Sequence, residues 1–358
     1  MTKKTNPKPT VKKSDDPVFK LLDKSKLNIV GLSALKDPVR VSSGLTSLDR
    51  LLGGGLPNGK ILEYFGDPSS CKSVFAALAV AEYQKLKRQA IYFDAEFSTE
   101  TEWLKLLGVT EGDLFRCVRS NSAEGVLNLA TDLLNAGNIL AVIDSTAALL
   151  PDANKDGTTG GGIALLARVL GDALKRLSGA CNTSGGTLIC LNQTRTKIAD
   201  KGVLMPPGMR ASASGDVFKF TAAARVLFEQ SPGKFLREDP DITDSPIVGR
   251  YILVKMQKIK LHKGIDQGYA KVPFYFASGP DYFADLLETA NQLKLLTVAG
   301  SWFSYKNTRL GQGTLKATNT LRETPDLSAA IRAAVLATGA TSEELEAQKA
   351  AKESEPLL

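Results

Sequence analysis

The sequence predicts an α/β fold in which a mostly parallel, doubly wound sheet carries helices on both faces. The first observation behind this prediction is an alternation, along residues 61–193, of short apolar runs with segments of helical apolar spacing. The second is a glycine- and serine-containing loop that lies between one apolar run and the helix after it. Strands connected through helices pair in parallel, so we expect one sheet between two helical layers.

Each element of the alternation has its own signal. The strands are continuous apolar runs, as expected where both faces of a sheet are covered; they are "ILEYFG", "QAIYFDAE", "NILAVIDS" and "GGTLICLNQ". The helices carry apolar stripes, and several end at glycine; they are "KSVFAALAVAEYQKLK", "TETEWLKLLG", "SAEGVLNLATDLLNAG" and "ALLARVLGDALKRLSG". Before the first strand, residues 38–60 predict a turn, a short helix and a glycine-rich turn.

The pattern changes after residue 215. "FKFTAAARVLFEQ" and "GRYILVKMQKIKL" predict two neighbouring antiparallel strands at the sheet edge. A shift of composition at "ASGPD", residues 277–281, predicts a domain boundary, and "YFADLLETANQLKLL" onward predicts a small α/β domain.

Composition limits the class of protein. The 358 residues are 43% hydrophobic and 23% charged, with a net charge of +7 that is compatible with a nucleic-acid partner. No run of 18 apolar residues occurs, and the N-terminus lacks a signal-peptide apolar region, so we expect a cytoplasmic protein with no membrane contact. The four cysteines lack metal spacing, and His262 is the single histidine, which excludes most His-based metal sites and triads.

The segment "GDPSSCKSV", residues 66–74, nearly matches the phosphate-loop pattern G-x-x-x-x-G-K-[ST]. Between a strand and a helix, backbone N–H groups of such a loop face phosphate oxygens, and the helix N-terminus adds partial positive charge. Lys72 would reach the β- and γ-phosphates of ATP, and Ser73 would bind Mg²⁺. We assign the whole segment to nucleotide binding: Gly66, Asp67, Pro68, Ser69, Ser70, Cys71, Lys72, Ser73 and Val74.

Cys71 stands where the pattern has its second glycine. A cysteine cannot take a positive φ without strain, so we expect either an ordinary backbone conformation or a slightly reshaped loop. Loss of the site is not required. Because the thiol lies near a helix N-terminus and beside Lys72, we also predict that it is unusually reactive.

Two acids complete the predicted site. Asp144 ends the apolar run "ILAVID", where a Walker B aspartate holds Mg²⁺ through water. Glu96 follows "AIYFDAE" at the end of a neighbouring strand, where a carboxylate can activate the attacking water. Either acid alone could be a solvated strand end. Together with Lys72 and Ser73, they indicate a Mg²⁺-dependent NTPase of the P-loop class.

Several stretches together resemble the RecA recombinase family, in order over residues 37–335: "FDAEFSTETEWLKLLGV", "VIDSTAALLP", "LNQTRTKI" and "GSWFSYKNTRLGQG". The resemblance implies a RecA-like ATPase that forms a helical filament on single-stranded DNA and exchanges strands with a homologous duplex. It also implies loading or single-strand-binding proteins as partners. The altered phosphate loop and divergent DNA loops suggest a viral or otherwise divergent member, like the UvsX-type phage recombinases, acting in a bacterial or phage-infected cytoplasm.

The resemblance assigns roles to residues that match the family motifs. It makes Glu96 the catalytic base, Trp103 the aromatic that stacks on adenine, and Glu100 an acceptor for the adenine amino group. It makes Gln193 the sensor of the γ-phosphate that relays to a DNA loop. A helix-core aromatic remains the alternative for Trp103, and a polar strand end for Gln193.

Lysines in "MQKIKL" resemble a pair that reaches across the boundary between protomers. Lys258 and Lys260 would neutralise charge on the neighbour's γ-phosphate, as arginine fingers do. Lys255 is an alternative in a shifted register. A solvated edge strand is the alternative for the whole segment.

Two segments resemble the family's DNA loops: residues 151–163, which are rich in glycine, and residues 195–215, predicted to be an unstructured loop that mixes basic and apolar residues. The helix after the first loop carries two basic residues seven positions apart, which share one face. The candidate DNA-binding residues are Ile163, Arg168, Lys175, Arg195, Lys197, Ile198 and Arg210.

The chain thus divides into four parts: a basic tail and protomer-contact segment (1–36), an ATPase core (37–276), a small C-terminal domain (277–340) and an acidic tail (341–358). Within the first part, residues 17–32 would pack on the next subunit of a filament. Two rival functions remain open at this point. One is a RecA-like accessory ATPase or helicase without strand exchange, and the other is a filament protein that binds nucleotide without hydrolysing it.

Overall fold

A computed structural model describes residues 37–154, 162–196, 210–212, 217–238, 242, 244–342 and 344–346, together with residues 21, 25 and 29. Contacts divide the chain into two compact units, Met1–Pro38 and Val39–Leu358. The predicted protomer-contact segment, residues 17–32, lies almost wholly outside the described residues. No helix of the described part is long and apolar enough to cross a bilayer.

The strands and helices lie close to the predicted positions. The strands are β1 (Arg40–Val41), β2 (Leu56–Pro57), β3 (Ile61–Gly66), β4 (Ala90–Asp94), β5 (Phe115–Arg119), β6 (Leu140–Asp144), β7 (Thr187–Thr196), β8 (Arg210–Ser212), β9 (Ala224–Arg237), β10 (Ile247–Ile259), β11 (Tyr269–Tyr275), β12 (Gly279–Pro280), β13 (Thr297–Ala299), β14 (Trp302–Tyr305) and β15 (Thr308–Gln312). The helices are α1 (Thr46–Leu51), α2 (Lys72–Lys85), α3 (Thr101–Leu106), α4 (Ala123–Ala136), α5 (Gly162–Ser184), α6 (Val217–Thr221), α7 (Tyr282–Gln292), α8 (Gly313–Glu323) and α9 (Pro325–Ala337).

The predicted parallel sheet is confirmed. Among the described residues its strand order is β12-β11-β10-β9-β3-β7-β6-β4-β5, and β8 is attached to β7. The run from β9 to β5 is parallel throughout, and β10, β11 and β12 continue it antiparallel. The apolar strands are therefore interior strands, as their continuous hydrophobic sequences indicate.

Successive residues of β3 point to opposite faces of the sheet, and each face has its own core. Leu62 and Tyr64 join the cluster that contains Phe75 of α2, whereas Ile61 joins the cluster formed with α4 and α5. Helices thus cover both faces, which is the doubly wound arrangement that the alternation of elements predicts. A third cluster, which includes Leu286, belongs to the C-terminal part.

Local sequence explains where the helices begin. Ser122 caps α4, since its side chain accepts a hydrogen bond from the Gly125 amide at 3.2 Å. Asp281 caps α7 in the same way, through the amides of Phe283 and Ala284. Residues 282–337 then form three helices and the antiparallel sheet β13-β14-β15, in agreement with the small α/β domain that the sequence predicts. The four-part division of the chain stays a prediction.

One predicted strand is partly wrong. "FKFT" was expected to be extended, but Val217–Thr221 is the helix α6, and β9 begins only at Ala224. Phe218 and Ala222 are four residues apart, and both are fully buried in the same core cluster. One helical turn places them on a common face, which an extended chain would not do.

The edge of the sheet also differs from the prediction. β9 and β10 pair antiparallel as expected, but neither is an edge strand, because β11 and β12 lie outside them. On the other side, β5 closes the sheet with a partly exposed and basic sequence, "FRCVR", that gives no strong strand signal. Edge strands have one unpaired side and need less apolar sequence, so they are the hardest to predict.

A buried carboxyl group joins α1 to α7. The Ser47 amide donates to Asp285 Oδ2 at 3.0 Å, and Asp285 is fully buried. Burial raises the pKa of Asp285 to about 7, helped by the nearby charge of Asp49, while hydrogen bonds from Ser47 and Thr46 act in the opposite direction. The protonated form of Asp285 is therefore the one that this junction favours.

We expect this junction to make stability depend on pH. A carboxyl group with a raised pKa stabilises the fold fully below its unfolded pKa near 4, and that contribution is lost as the pH rises to about 7. The melting temperature should therefore fall from pH 4.5 to pH 8 in the wild type, and fall less in Asp285→Asn. Calorimetry at both pH values tests this. Asp244→Asn, at an exposed position, is the control and should keep the wild-type slope.

Candidate active site

Strand pairing gathers the predicted site residues at one edge of the sheet. β3 and β7 pair with Gly66 opposite Gln193, and β4 and β6 pair with Asp94 opposite Asp144. The carboxyl ends of parallel strands are where α/β folds hold their ligands. The phosphate loop leaves β3 at this edge, and α2 begins directly after it at Lys72.

The loop folds around the ammonium group of Lys72. Its Nζ donates to the carbonyl oxygens of Gly66 at 3.2 Å and Asp67 at 2.8 Å, and to Ser70 Oγ at 3.3 Å. Burial lowers the pKa of Lys72, and the charge of Asp144 is the largest influence in the opposite direction. The cation is thus held within the loop by two backbone carbonyl oxygens and one hydroxyl group.

Gly66 has no room for a side chain. A Cβ at this position would lie 2.1 Å from the carbonyl oxygen of Phe228 and 2.8 Å from Ser70 Oγ. The remaining loop positions differ in exposure. Pro68 and Ser69 are exposed, whereas the Val74 side chain is buried in the core, so any role of Val74 in binding would fall to its backbone.

The expectation of an ordinary backbone conformation at Cys71 is wrong. Its φ is 68° and its ψ 16°, the left-handed conformation that glycine adopts readily, so the loop keeps that geometry with a strained cysteine. Ser69 is also left-handed, with φ 60°. Burial raises the pKa of the Cys71 thiol to about 11, although the charges of Arg250 and Lys72 oppose this, and a raised pKa argues against the predicted reactivity.

Asp144, the predicted Walker B aspartate, is the last residue of β6. It is 8% exposed, and it accepts hydrogen bonds from the hydroxyl of Tyr92, at 2.5 Å, and from the side chain of Ser73. Burial raises the pKa of Asp144, while the hydrogen bonds from Tyr92 and Ser73 and the charge of Lys72 act in the opposite direction. Two oxygen ligands thus meet beside the loop, one of them a desolvated anion, and this is a donor set that fits Mg²⁺.

Glu96 and Gln193 meet in the structure. Gln193 Nε2 donates to Glu96 Oε1 at 3.3 Å, and the hydroxyl of Ser145 donates to the same oxygen at 2.5 Å. Glu96 itself is exposed, so its other oxygen can reach water. The residue predicted to activate water and the residue predicted to sense the γ-phosphate are therefore directly connected.

Sequence reasoning missed a polar network behind this contact. Glu63, fully buried in β3, receives Asn192 Nδ2 at 3.0 Å and Arg225 Nε at 2.5 Å. The side chain of Asn192 in turn accepts from the Gln193 amide at 3.0 Å. A glutamate inside an otherwise apolar strand, "ILEYFG", was the available signal, since a buried charge requires a partner. Thr194, beside Gln193, also donates to Asp67 of the loop.

Lys258 and Lys260 lie on the far side of β9 from β3, and both are displaced along the sheet away from the phosphate loop. Lys258 pairs with Arg225 in the register of β10 and β9, and the Lys260 amide bonds to the carbonyl of Ala223. The loop starts at Gly66, which is three residues further along β3 than the level of Lys258 and five further than that of Lys260, or about 10 Å and about 17 Å at the rise of a strand. The two lysines are therefore too far along the sheet to act on this chain's own loop.

The environments of the lysines also differ. Burial, followed by the charges of Lys260 and Arg225, lowers the pKa of Lys258 to about 8. Lys260 Nζ donates to the Phe220 carbonyl at 2.7 Å. Lys255 is in an ion pair with Glu229 at 2.7 Å, so in this structure it is engaged within its own chain.

Trp103 and Glu100 lie at the start of α3. Trp103 is half-buried and packs against the same core cluster as Cys71. Glu100 is exposed and occupies the N-cap position of the helix. Trp103 is thus partly packed against the core and partly exposed to solvent. Its assignment as the aromatic that stacks on adenine stays a prediction, with a helix-core aromatic as the alternative.

The candidate DNA residues are placed unevenly. Arg168 and Lys175 are both exposed on α5, and Lys175 pairs with Asp172 at 3.2 Å. The backbone of Ile163 lies in α5, that of Arg195 in β7 and that of Arg210 in β8. Lys197, Ile198 and most of both predicted DNA loops lie outside the described residues.

The second DNA loop departs from the prediction at its ends. It was expected to be unstructured over residues 195–215, but Arg195 pairs with Ala211 and Thr196 with Arg210, as β7 continues into an antiparallel ladder with β8. The ladder begins directly beyond Gln193, so this strand carries both the residue predicted to sense the γ-phosphate and the base of the predicted second DNA loop.

We predict that Cys71 reacts slowly with alkylating reagents at neutral pH, because its thiol loses its proton only near pH 11. Iodoacetamide labelling followed by peptide mass spectrometry should show Cys71 modified more slowly than free cysteine at pH 7.5, with the rate rising up to about pH 11. Free cysteine, titrated in parallel, is the reference. Rapid labelling of Cys71 at pH 7.5 would contradict the burial argument.

Comparison with known proteins agrees with this geometry. The RecA N-terminal domain matches residues 17–278, and the RecA C-terminal domain matches residues 284–339. The chain is 32% identical over 321 residues to Protein RecA of Halalkalibacterium halodurans, which covers 89% of this chain and 88% of that protein. It is 33% identical over 291 residues to Protein RecA of Leptospira biflexa, covering 80% of this chain and 72% of the relative.

A plant relative also matches. The chain is 36% identical over 288 residues to the chloroplastic DNA repair protein recA homolog 1 of Arabidopsis thaliana, which covers 80% of this chain and 63% of that longer protein. The narrower assignment to UvsX-type phage recombinases stays a prediction. With both RecA domains matched in order and the phosphate loop, Asp144, Glu96 and Gln193 gathered at one edge of the sheet, the chain belongs to the RecA family of DNA recombinases.

Proposed function

We propose that this chain is an ATP-dependent DNA recombinase that forms helical filaments on single-stranded DNA and catalyses homologous pairing and strand exchange. The observation that carries the proposal is the hydrogen bond between Glu96 and Gln193 at 3.3 Å. It connects the proposed site of hydrolysis to β7, and β7 leads into the second DNA loop. Through the contact between Glu96 and Gln193, the state of the bound nucleotide can therefore influence DNA binding.

In this proposal the phosphate loop binds the triphosphate of ATP, with Lys72 turned from its own carbonyl partners towards the phosphate oxygens. Mg²⁺, held by Ser73 and Asp144, would neutralise charge on those oxygens. Trp103 would stack on the adenine, and Glu100 would accept a hydrogen bond from its amino group. Glu96 orients and deprotonates the attacking water, and Ser145 holds one oxygen of the Glu96 carboxylate in place.

The positions of Lys258 and Lys260 support a filament of repeated protomers. Lys258 and Lys260 lie at the far end of β10 from this chain's loop, so their action on a triphosphate requires a second protomer. An interface of two different surfaces that does not close produces an open helical filament. The proposed partners are single-stranded and double-stranded DNA, further copies of the chain, and loading or single-strand-binding proteins. The proposed location is the cytoplasm.

We expect Glu96→Gln to abolish ATP turnover while nucleotide-dependent DNA binding persists, because the amide keeps the hydrogen bond to Ser145 but cannot take a proton. Loss of a general base costs about 10²–10⁴-fold in rate. Phosphate release with and without single-stranded DNA measures this, and fluorescence anisotropy of labelled DNA measures binding. Normal hydrolysis by the variant would overturn the assignment of Glu96. Lys72→Ala should lose both nucleotide binding and turnover.

We expect Gln193→Ala to uncouple ATP hydrolysis from nucleotide-dependent DNA binding. Without the amide, Glu96 keeps Ser145, so ATP should still bind and some hydrolysis should remain. DNA affinity should become nearly the same with ATP, ADP or no nucleotide, because the connection between the site and β7 is removed. DNA titrations in the three nucleotide states, at one salt concentration, test this. A variant that still binds DNA more tightly with ATP would show that Gln193 is not the relay.

A further inference from the structure

The phosphate loop of this chain contains two left-handed residues that are not glycine. Ser69 has φ 60° and Cys71 has φ 68°. Side chains crowd the backbone in this conformation, so each residue disfavours the shape that phosphate binding needs. Within the loop, the Cys71 thiol lies 3.9 Å from the Ser69 carbonyl oxygen, a long contact for sulfur. Support for the loop must therefore come from elsewhere in the fold.

A side chain from β9 provides a contact at the required place. Gln230 Nε2 donates to the carbonyl oxygen of Ser69 at 2.9 Å. β9 runs parallel beside β3, with Phe228 opposite Gly66, so Gln230 lies two residues beyond the point where the loop leaves the sheet. The glutamine thus holds one of the two strained residues from outside the loop.

A neighbouring strand fixes the orientation of this glutamine. Arg250 Nη1, on β10, donates to Gln230 Oε1, so the nitrogen end of the amide is the end that faces Ser69. The Arg250 guanidinium is itself placed over the ring of Phe276, 5.3 Å from its centre. The positive charge of Arg250 lowers the pKa of the Cys71 thiol more than that of Lys72 does, so the guanidinium of Arg250 lies close to the loop.

We propose that Gln230 and Arg250 are positioning residues of the nucleotide site, which brace the phosphate loop in its binding shape and offset the absence of the second glycine. Gln230 holds the Ser69 carbonyl, and Arg250 holds the Gln230 amide. Neither residue needs to touch the nucleotide. The proposal rests on the proposed function as far as ATP binding at this loop, but not on filament formation or strand exchange.

The test is a comparison of Gln230→Ala in two backgrounds, the natural Cys71 and Cys71→Gly. Glycine at position 71 removes the strain there, so the loop should need the brace less. The dissociation constant of a fluorescent ATP analogue, measured with Mg²⁺ and without DNA, should rise about fivefold in the Cys71 background, which corresponds to one net hydrogen bond of about 1 kcal/mol. In the Cys71→Gly background it should rise less than about twofold.

A second variant separates the brace from a general structural role of Gln230. Gln230→Glu keeps a partner for Arg250 but offers no N–H group to Ser69, so it should weaken nucleotide binding at least as much as Gln230→Ala. In steady-state ATPase assays, both variants should raise KM and leave kcat within about twofold, as expected for residues that shape the empty site. Gln89→Ala is the matched control, because Gln89 is an exposed glutamine that donates to a backbone carbonyl at the other end of the sheet.

The outcomes are distinct. Equal losses of affinity in both backgrounds, or no loss in either, would overturn the brace while leaving the ATP site in place. Wild-type affinity in Gln230→Glu would mean that the pair with Arg250, and not the contact with Ser69, is what matters, and would overturn it too. Failure of the wild-type chain to bind the ATP analogue would overturn both the brace and the proposed function.

Discussion

The parallel pairing of β3 with β7 is the constraint on which the rest of the site depends. It places Gly66 opposite Gln193, so the start of the phosphate loop and the candidate sensor of the γ-phosphate are neighbours in one sheet. A shift of this register by one residue would turn every side chain of either strand to the other face. Gln193 would then point away from the site, and the buried carboxylate of Glu63 would lose its hydrogen bond from Asn192.

The polar network around Glu63 fixes that register from inside. A buried carboxylate is costly unless it is paired and hydrogen-bonded, and Glu63 has both Arg225 and Asn192. These partners come from the two strands on either side of β3, so the network is satisfied in one alignment of three strands. The same network reaches Gln193 through Asn192 and approaches Lys258 through Arg225. Stability of the sheet and placement of the functional groups thus depend on the same contacts.

The phosphate loop shows how a fold can keep a geometry that its sequence disfavours. Cys71 takes the left-handed conformation that the loop pattern of this class gives to glycine. The strain is local, whereas the groups that oppose it, on β9 and β10, are distant in sequence. By the inference above, these distant groups keep the loop in its shape around Lys72.

The sequence by itself determined the alternating elements and the doubly wound sheet, and it singled out candidate site residues that the sheet then gathers at one edge, because apolar period, glycine turns and strand-end carboxylates are local signals. Tertiary structure decided what these signals could not contain. Glu96 and Gln193 are 97 residues apart in the chain and meet only because β4, β6 and β7 share one sheet edge. The helix α6, the edge strand β5, the left-handed Cys71 and the partners of Glu63 were likewise settled by packing. Each depends on contacts between segments that are distant in sequence. Such contacts do not show in the hydrophobic periodicity of either segment, which is the signal used to predict secondary structure.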